Sequence, residues 1–196
     1  MNAALVKDAR LRVLEGAYEC IARRGMAKTT VDDVAGASGV SRATIYRLFP
    51  GGKDELLRDT VGWEMDRFFL HLGEELGDAA DFPEFLGRAL PLARRELLEH
   101  AVLQKVLETE PDRLNALITV QQDRLITAIA AYFLPLLERD RAAGLVVADV
   151  DLAPVAEYVA RLSLSLIASP GRHDLSDPTE VRRLVRGELL GGVLVA

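Results

Sequence analysis

The chain has 196 residues, 49% of them apolar, and carries 24 Lys and Arg against 30 Asp and Glu for a net charge of −6. That is apolar material for a proper core, which excludes a disordered tail. The single cysteine, Cys20, excludes an internal disulfide framework and fits a reducing compartment.

The first residues, MNAALVKDAR, lack the apolar centre of a signal peptide, and no run approaches the ~20 apolar residues that span a bilayer. The expected location is the cytoplasm, with no membrane partner. Residues ~5–24 read as a first helix with Leu14, Ala17, Tyr18, Ile21 and Ala22 on one stripe. Arg23, Arg24 and Gly25 close it as the helix dipole and a C′ position favour. Cys20 reads as a small packing residue beside that stripe.

Thr30 and Asp33 form the S/T-x-x-D/E pattern of a capped helix start, and Val31, Val34, Ala35 and Ser38 give it an apolar or small face. Gly39 stands where a left-handed residue would stop this helix, Val40 plugs the turn, and Ser41 caps a third helix ending at Leu48 or Phe49. Two short helices joined by about four residues that include a glycine are the sequence form of a helix-turn-helix. The third helix can anchor through Ile45, Leu48 and Phe49, which leaves Arg42, Ala43, Thr44, Tyr46 and Arg47 on or beside the outer side. Arginine can fork onto guanine edges, threonine and alanine methyls can touch thymine methyls, and a tyrosine hydroxyl can reach a phosphate. Lys28 lies just ahead of Thr30, near a helix N-terminus that would welcome a phosphate. The charge distribution agrees: residues 1–60 hold 10 Lys and Arg against 8 Asp and Glu, whereas the remainder holds 14 against 22. A modestly basic head on an acidic body can hold phosphates locally, and its binding would be sensitive to salt.

Beyond Pro50-Gly51-Gly52, a breaker cluster, Lys53-Asp54-Glu55 opens a long fourth helix running to about Leu76. A fifth starts near Glu84, with Pro91 inside it as an expected kink, and residues 101–108 give a short sixth. Thr109 is expected to cap a seventh helix that has Pro111 in its first turn and Gly144 at its end. The piece GLVVADVD reads as an extended connector with nothing to pair with. Residues ~152–168 are apolar on almost every side, and Asp177-Pro178-Thr179-Glu180 starts a last helix through Val181, Leu184, Val185, Leu189 and Leu190. A second copy covering one front of each would form a two-plus-two helix interface through Val155, Val159, Leu162, Leu166, Leu184, Val185 and Leu189.

The run from Thr29 to Phe49, followed by Lys53 to Leu57, resembles the TetR (tetracycline-repressor) family of bacterial transcriptional regulators. The resemblance implies an all-α protein of about nine helices: a three-helix, helix-turn-helix DNA-binding head over residues 1–52 and a larger helical ligand-binding and dimerisation body over 53–196. It implies that Thr30 and Tyr46 hold phosphates, that Arg42, Ala43, Thr44 and Arg47 face bases or backbone, and that Lys53 grips a phosphate; Ser41 and Lys28 complete the expected DNA-facing set. Two departures from the family stand out. Leu48 replaces a usual histidine or other polar residue, and Phe49 to Lys53 is one residue longer than the common F-x-x-K.

The implied partners are double-stranded operator DNA, a second copy of the chain and a small-molecule effector, with no cofactor. Trp63, Met65, Phe69, Leu86, Leu90, Leu103, Leu107, Gln121, Leu125 and Ile129 are the expected pocket wall, whose apolar character favours a hydrophobic or amphipathic effector. Gln121, polar within an apolar stripe, is the expected hydrogen-bonding group. No catalytic or metal site is expected: His71, His100 and His173 have neither each other nor a cysteine at ligand spacing, and no phosphate loop or nucleophile elbow occurs. The competing readings are a helical adaptor whose head docks a protein and a TetR-like regulator without a small-molecule effector.

Overall fold

A computed structural model describes the backbone of residues 3–195 and the side chains of residues 7–195. The described chain is helical: α1 Ala3–Arg24, α2 Val31–Ser38, α3 Arg42–Leu48, α4 Gly52–Glu75, α5 Phe82–Glu99, α6 Ala101–Thr109, α7 Pro111–Ala142, α8 Leu152–Ala168 and α9 Pro178–Arg183, the last continuing as a π-helical stretch over Leu184–Leu189. These elements form two compact units, Met1–Arg67 with His100–Gln121 and Phe68–Glu99 with Gln122–Ala196.

The first unit is built on the stripe of α1. Val13, Leu14, Ala17 and Cys20 bury against Val31, Val34, Val40, Ile45, Phe49 and Leu56. Gly16 is where α1 and α2 come closest: a Cβ there would stand 3.0 Å from the Ser38 backbone nitrogen, so a larger residue would push the two helices apart. Burial holds the Cys20 thiol above its ordinary pKa, as suits an inert packing group. A second cluster joins Ile21 and Met26 to Leu57, Val106 and Leu114, bringing α6 and the start of α7 against the end of α1.

The second unit packs α5 against the later part of α7 and the C-terminal helices. Phe82, Leu86, Leu90, Leu137, Val159 and Leu190 are essentially solvent-free. The Phe82 and Phe133 rings meet edge to face at 5.1 Å. Asp140 is also buried, and its carboxylate accepts a 2.6 Å hydrogen bond from the Phe82 backbone N–H. Arg139 supplies the balancing charge at 3.1 Å. A buried carboxylate thus satisfies a free N–H at the start of α5, and losing it would leave that buried donor without a partner.

Several local expectations change. Thr109 does not cap α7: it is the last residue of α6, where its hydroxyl donates back to the Lys105 carbonyl, and Glu110 makes the junction. The 145–147 connector does find a partner in the C-terminal tail. Val147 N–H donates to the Val193 carbonyl, Val195 N–H donates to the Leu145 carbonyl, and Val146 faces Leu194 in an antiparallel bridge. Its β-branched composition reflected a partner too distant in sequence to pair by inspection. The final helix is not uniform, since its second half widens to π geometry. Such a stretch is rare.

Candidate nucleic-acid interface

The helix-turn-helix assembles from contacts its own sequence dictates. Thr30 accepts from the Asp33 N–H at 3.1 Å, while the Asp33 carboxylate accepts from the Thr30 N–H at 3.0 Å, completing the capping box. The Thr30 hydroxyl also donates to the Asp33 carboxylate at 2.7 Å, and that bond, with the one from the Thr30 N–H and Arg24 at 2.6 Å, holds the Asp33 carboxyl below its usual range. Gly39 ends α2 at φ +66°, the left-handed conformation that excuses it from the Cβ penalty. Ser41 then caps α3 by accepting from the Thr44 N–H at 3.3 Å.

α3 anchors through Ile45 and Phe49, which are 1% and 0% exposed, with Leu48 half-buried beside them. Ser41, Arg42, Ala43, Tyr46 and Arg47 are exposed and Thr44 is partly so. Tyr46 keeps 46% of its surface open. The Arg42 guanidinium pairs with Asp32 of α2 at 2.8 Å, an exposed bridge across the two helices of the motif. Lys28 and Thr30 are exposed just ahead of α2. Lys53 lies at the start of α4, where its Nζ donates to the Ala27 carbonyl at 2.7 Å. A phosphate role for Lys53 therefore requires it to leave or share that carbonyl.

Sequence reading missed how firmly the α1–α2 loop is held. Glu110, between α6 and α7, accepts from the Ala27 N–H at 2.7 Å, and a Cβ on Gly25 would meet its Oε1 at 2.5 Å. Lys105 of α6 donates to the Ala22 and Arg23 carbonyls at 3.1 and 3.4 Å, satisfying the open end of α1. The loop that presents Lys28 and Thr30 is thus gripped by α6 and α4. No short-range pattern signals contacts that span about eighty residues. Nearby, His100 caps α6 by accepting from the Leu103 N–H at 3.1 Å. Its other ring nitrogen meets Glu64 at 3.3 Å, a contact that raises the His100 pKa.

The expected pocket residues fall in two places. Trp63, Met65, Leu103, Leu107 and Gln121 belong to the first unit, and Phe69, Leu86, Leu90, Leu125 and Ile129 to the second. Leu86, Leu90 and Ile129 are buried in the second core. Leu107 is 37% exposed, and Trp63 lies under the Arg67 guanidinium at 4.8 Å. Gln121 is buried, but its amide donates to the Arg58 carbonyl at 3.3 Å, so that donor is already committed within the protein. An open cavity of about 500 Å³ lies elsewhere in the second unit, lined by Arg172, His173, Glu180, Arg183 and Glu188.

Of the expected subunit-contact residues, Val159, Leu184, Val185 and Leu189 are buried in the second unit's own core. Val155, Leu162 and Leu166 are partly exposed, and Tyr158, between them on α8, is 50% exposed. No described group of three His, Cys, Asp or Glu side chains is placed to hold a metal, and no described helix is long and apolar enough to cross a membrane.

Comparison with known proteins finds relatives that share these features. Residues 13–60 match the bacterial regulatory proteins of the tetR family. The chain is 31% identical over 116 residues to the HTH-type transcriptional repressor KstR2 of Mycobacterium tuberculosis, an alignment covering 57% of this chain and 56% of the relative. It therefore spans about half the length of the curated relatives it matches. A solved TetR-family transcriptional regulator from Mesorhizobium loti superposes with a TM-score of 0.59 at 15% identity, covering 97% of this chain and 98% of that one. RolR in complex with resorcinol does so with a TM-score of 0.59 at 17% identity, covering 100% of this chain and 92% of that one. Residues 13–60 thus carry the sequence pattern of the tetR family of bacterial regulatory proteins, and the described fold resembles that of a solved regulator of that family.

Proposed function

We propose that the protein is a DNA-binding transcriptional repressor that acts as a homodimer on a near-palindromic operator and is released by a hydrophobic or amphipathic small molecule. The observation that carries this reading is α3: a capped helix anchored by Ile45 and Phe49 that leaves Arg42, Ala43, Tyr46 and Arg47 open to solvent. Arg42 and Arg47 supply the forked donors that read base edges, Ala43 and Thr44 the methyl contacts, and Tyr46, Ser41, Thr30 and Lys28 the phosphate contacts. Two such helices on a symmetric dimer enter successive major grooves ~34–36 Å apart and read two half-sites.

Dimerisation draws on the open face of α8, where Val155, Tyr158, Leu162 and Leu166 expose apolar surface that a second copy would cover. Repression is favoured because KstR2 is a named repressor, and effector release because RolR was solved with resorcinol. The effector shifts binding only as far as its affinity differs between the DNA-competent state and another state. The Glu110 and Lys105 grip on the α1–α2 loop offers a route for such a difference to reach Lys28 and Thr30.

Selection of genomic fragments by the purified protein at moderate salt tests the reading. Enrichment of one inverted repeat whose binding weakens steeply with salt is the expected result. Recovery of no repeat would overturn it in favour of a head that docks protein.

A further inference from the structure

The recognition helix α3 has only seven residues, too short to hold its own geometry, so both ends must be fixed from outside. Its N-terminus is fixed by Ser41. At its C-terminus the Ile45 carbonyl accepts from the Phe49 N–H at 2.8 Å, and the Leu48 carbonyl is reached by Arg10 of α1. The Arg10 guanidinium donates from one nitrogen to the Leu48 carbonyl at 3.2 Å and from the other to the Asp59 carboxylate of α4. Its Cζ lies over the Phe49 ring, 4.5 Å from the centroid. One guanidinium therefore ties α1, the end of α3 and α4 together. The ring it covers is fully buried, so the stack clamps the residue that ends α3. Arg10 also lies ahead of the family match, which starts at residue 13.

We propose that Arg10 is a positioning residue for base reading: its fork and stack set the angle at which α3 presents Arg42, Tyr46 and Arg47, without Arg10 itself touching the duplex. This rests on the DNA-binding reading above. Lysine keeps the charge but offers a point donor with no fork and no flat face, so it cannot make the three contacts together. The claim is thus about shape, not charge.

The test uses full-length Arg10→Ala, Arg10→Lys and Asp59→Asn with two duplexes: the repeat enriched by the wild type and a random sequence of equal length, each titrated at several salt concentrations. Backbone hydrogen exchange in the free protein, with thermal melting, reports on the fold. Arg10→Ala and Arg10→Lys should each lose roughly tenfold on the enriched repeat, the size of a lost charge-assisted hydrogen bond. Affinity for the random duplex and the salt slope should stay as in the wild type. Exchange should quicken at the Leu48 and Phe49 amides while those of α2 stay protected, and Asp59→Asn should show the same pattern more weakly.

Wild-type behaviour of Arg10→Lys in both affinity and exchange would overturn the proposal. So would equal loss on both duplexes with a shallower salt slope, which would make Arg10 a phosphate contact. Faster exchange across the whole head with a lowered melting point would make it a general structural residue. If the wild type enriches no repeat, the DNA-binding reading fails and the positioning role goes with it; exchange at Leu48 and Phe49 would then report only whether the fork holds α3.

Discussion

The two compact units make their structure by different means. In the first, the contacts that start and stop the helices of the motif are local: Thr30 to Asp33, Ser41 to Thr44 and the left-handed Gly39 all act within a few residues. In the second they are distant: Phe82 depends on Asp140, Phe85 lies against Phe133, and the 145–147 strand-like segment waits for residues 193–195. Local chemistry declares both the shape and the exposed face of a motif, whereas distant packing declares only that a helix is buried. Function is therefore easier to read from the first unit than from the second.

The largest expected effect would break that comparison if it spread. Phe82 is fully buried among aromatic neighbours, and Phe82→Ala should cost about 3–5 kcal/mol in chemical denaturation. Per folded molecule, affinity for the enriched repeat should be retained; lost affinity at full folding would mean that the second core also shapes the DNA-binding surface. Next comes Arg47→Ala on the exposed side of α3, which should weaken operator binding by about 1–3 kcal/mol per head. Sedimentation should show the same assembly state as the wild type, and a changed one would contradict the separation of reading from assembly.

Glu110→Ala tests whether the first unit is as local as its motif. It removes the acceptor for the Ala27 N–H, a contact worth about 0.5–1.5 kcal/mol, and should speed exchange at residues 26–29. Unchanged exchange would leave α2 and α3 as the whole of the head's order. The smallest expected effects concern the cap of α2. Thr30→Ala should cost about 1 kcal/mol. Because the folded Asp33 carboxyl lies below its ordinary range, its contribution is complete above the unfolded carboxylate pKa and is lost as pH falls through the folded value. The gap between acid melts of wild type and Thr30→Ala should accordingly narrow as Asp33 protonates, leaving the share of the cap itself; a constant gap would show that the Thr30 hydroxyl is not what depresses the Asp33 pKa.

Much of the head was legible because its signals are residue-specific. The capping box, the Gly39 stop, the Ser41 cap and the Ile45–Phe49 anchor all take their expected places. Arg10 and Glu110 were not legible, since each reaches backbone far along the chain. In the second unit, helices at their approximate bounds followed from apolar periodicity, but periodicity does not say what covers an apolar side. Val159, Leu184, Val185 and Leu189 could face another subunit by pattern; packing places them in their own core. Gln121 looked like a ligand group because a polar residue in an apolar stripe wants a partner, and the partner is the Arg58 carbonyl. Asp140 gave no sign of burial, because a charged residue near a helix end is ordinarily solvated.

The surface of α3 can be tested at residue level by recording backbone and side-chain NMR spectra of the full-length protein as the enriched duplex is added. Shifts and protection should centre on Thr30 and residues 41–47, led by Tyr46 and Arg47, with Ile45 and Phe49 unmoved in their core. Perturbations gathered on another surface, with Tyr46 and Arg47 as free of the duplex as before, would contradict the assignment of α3 as the helix that reads DNA.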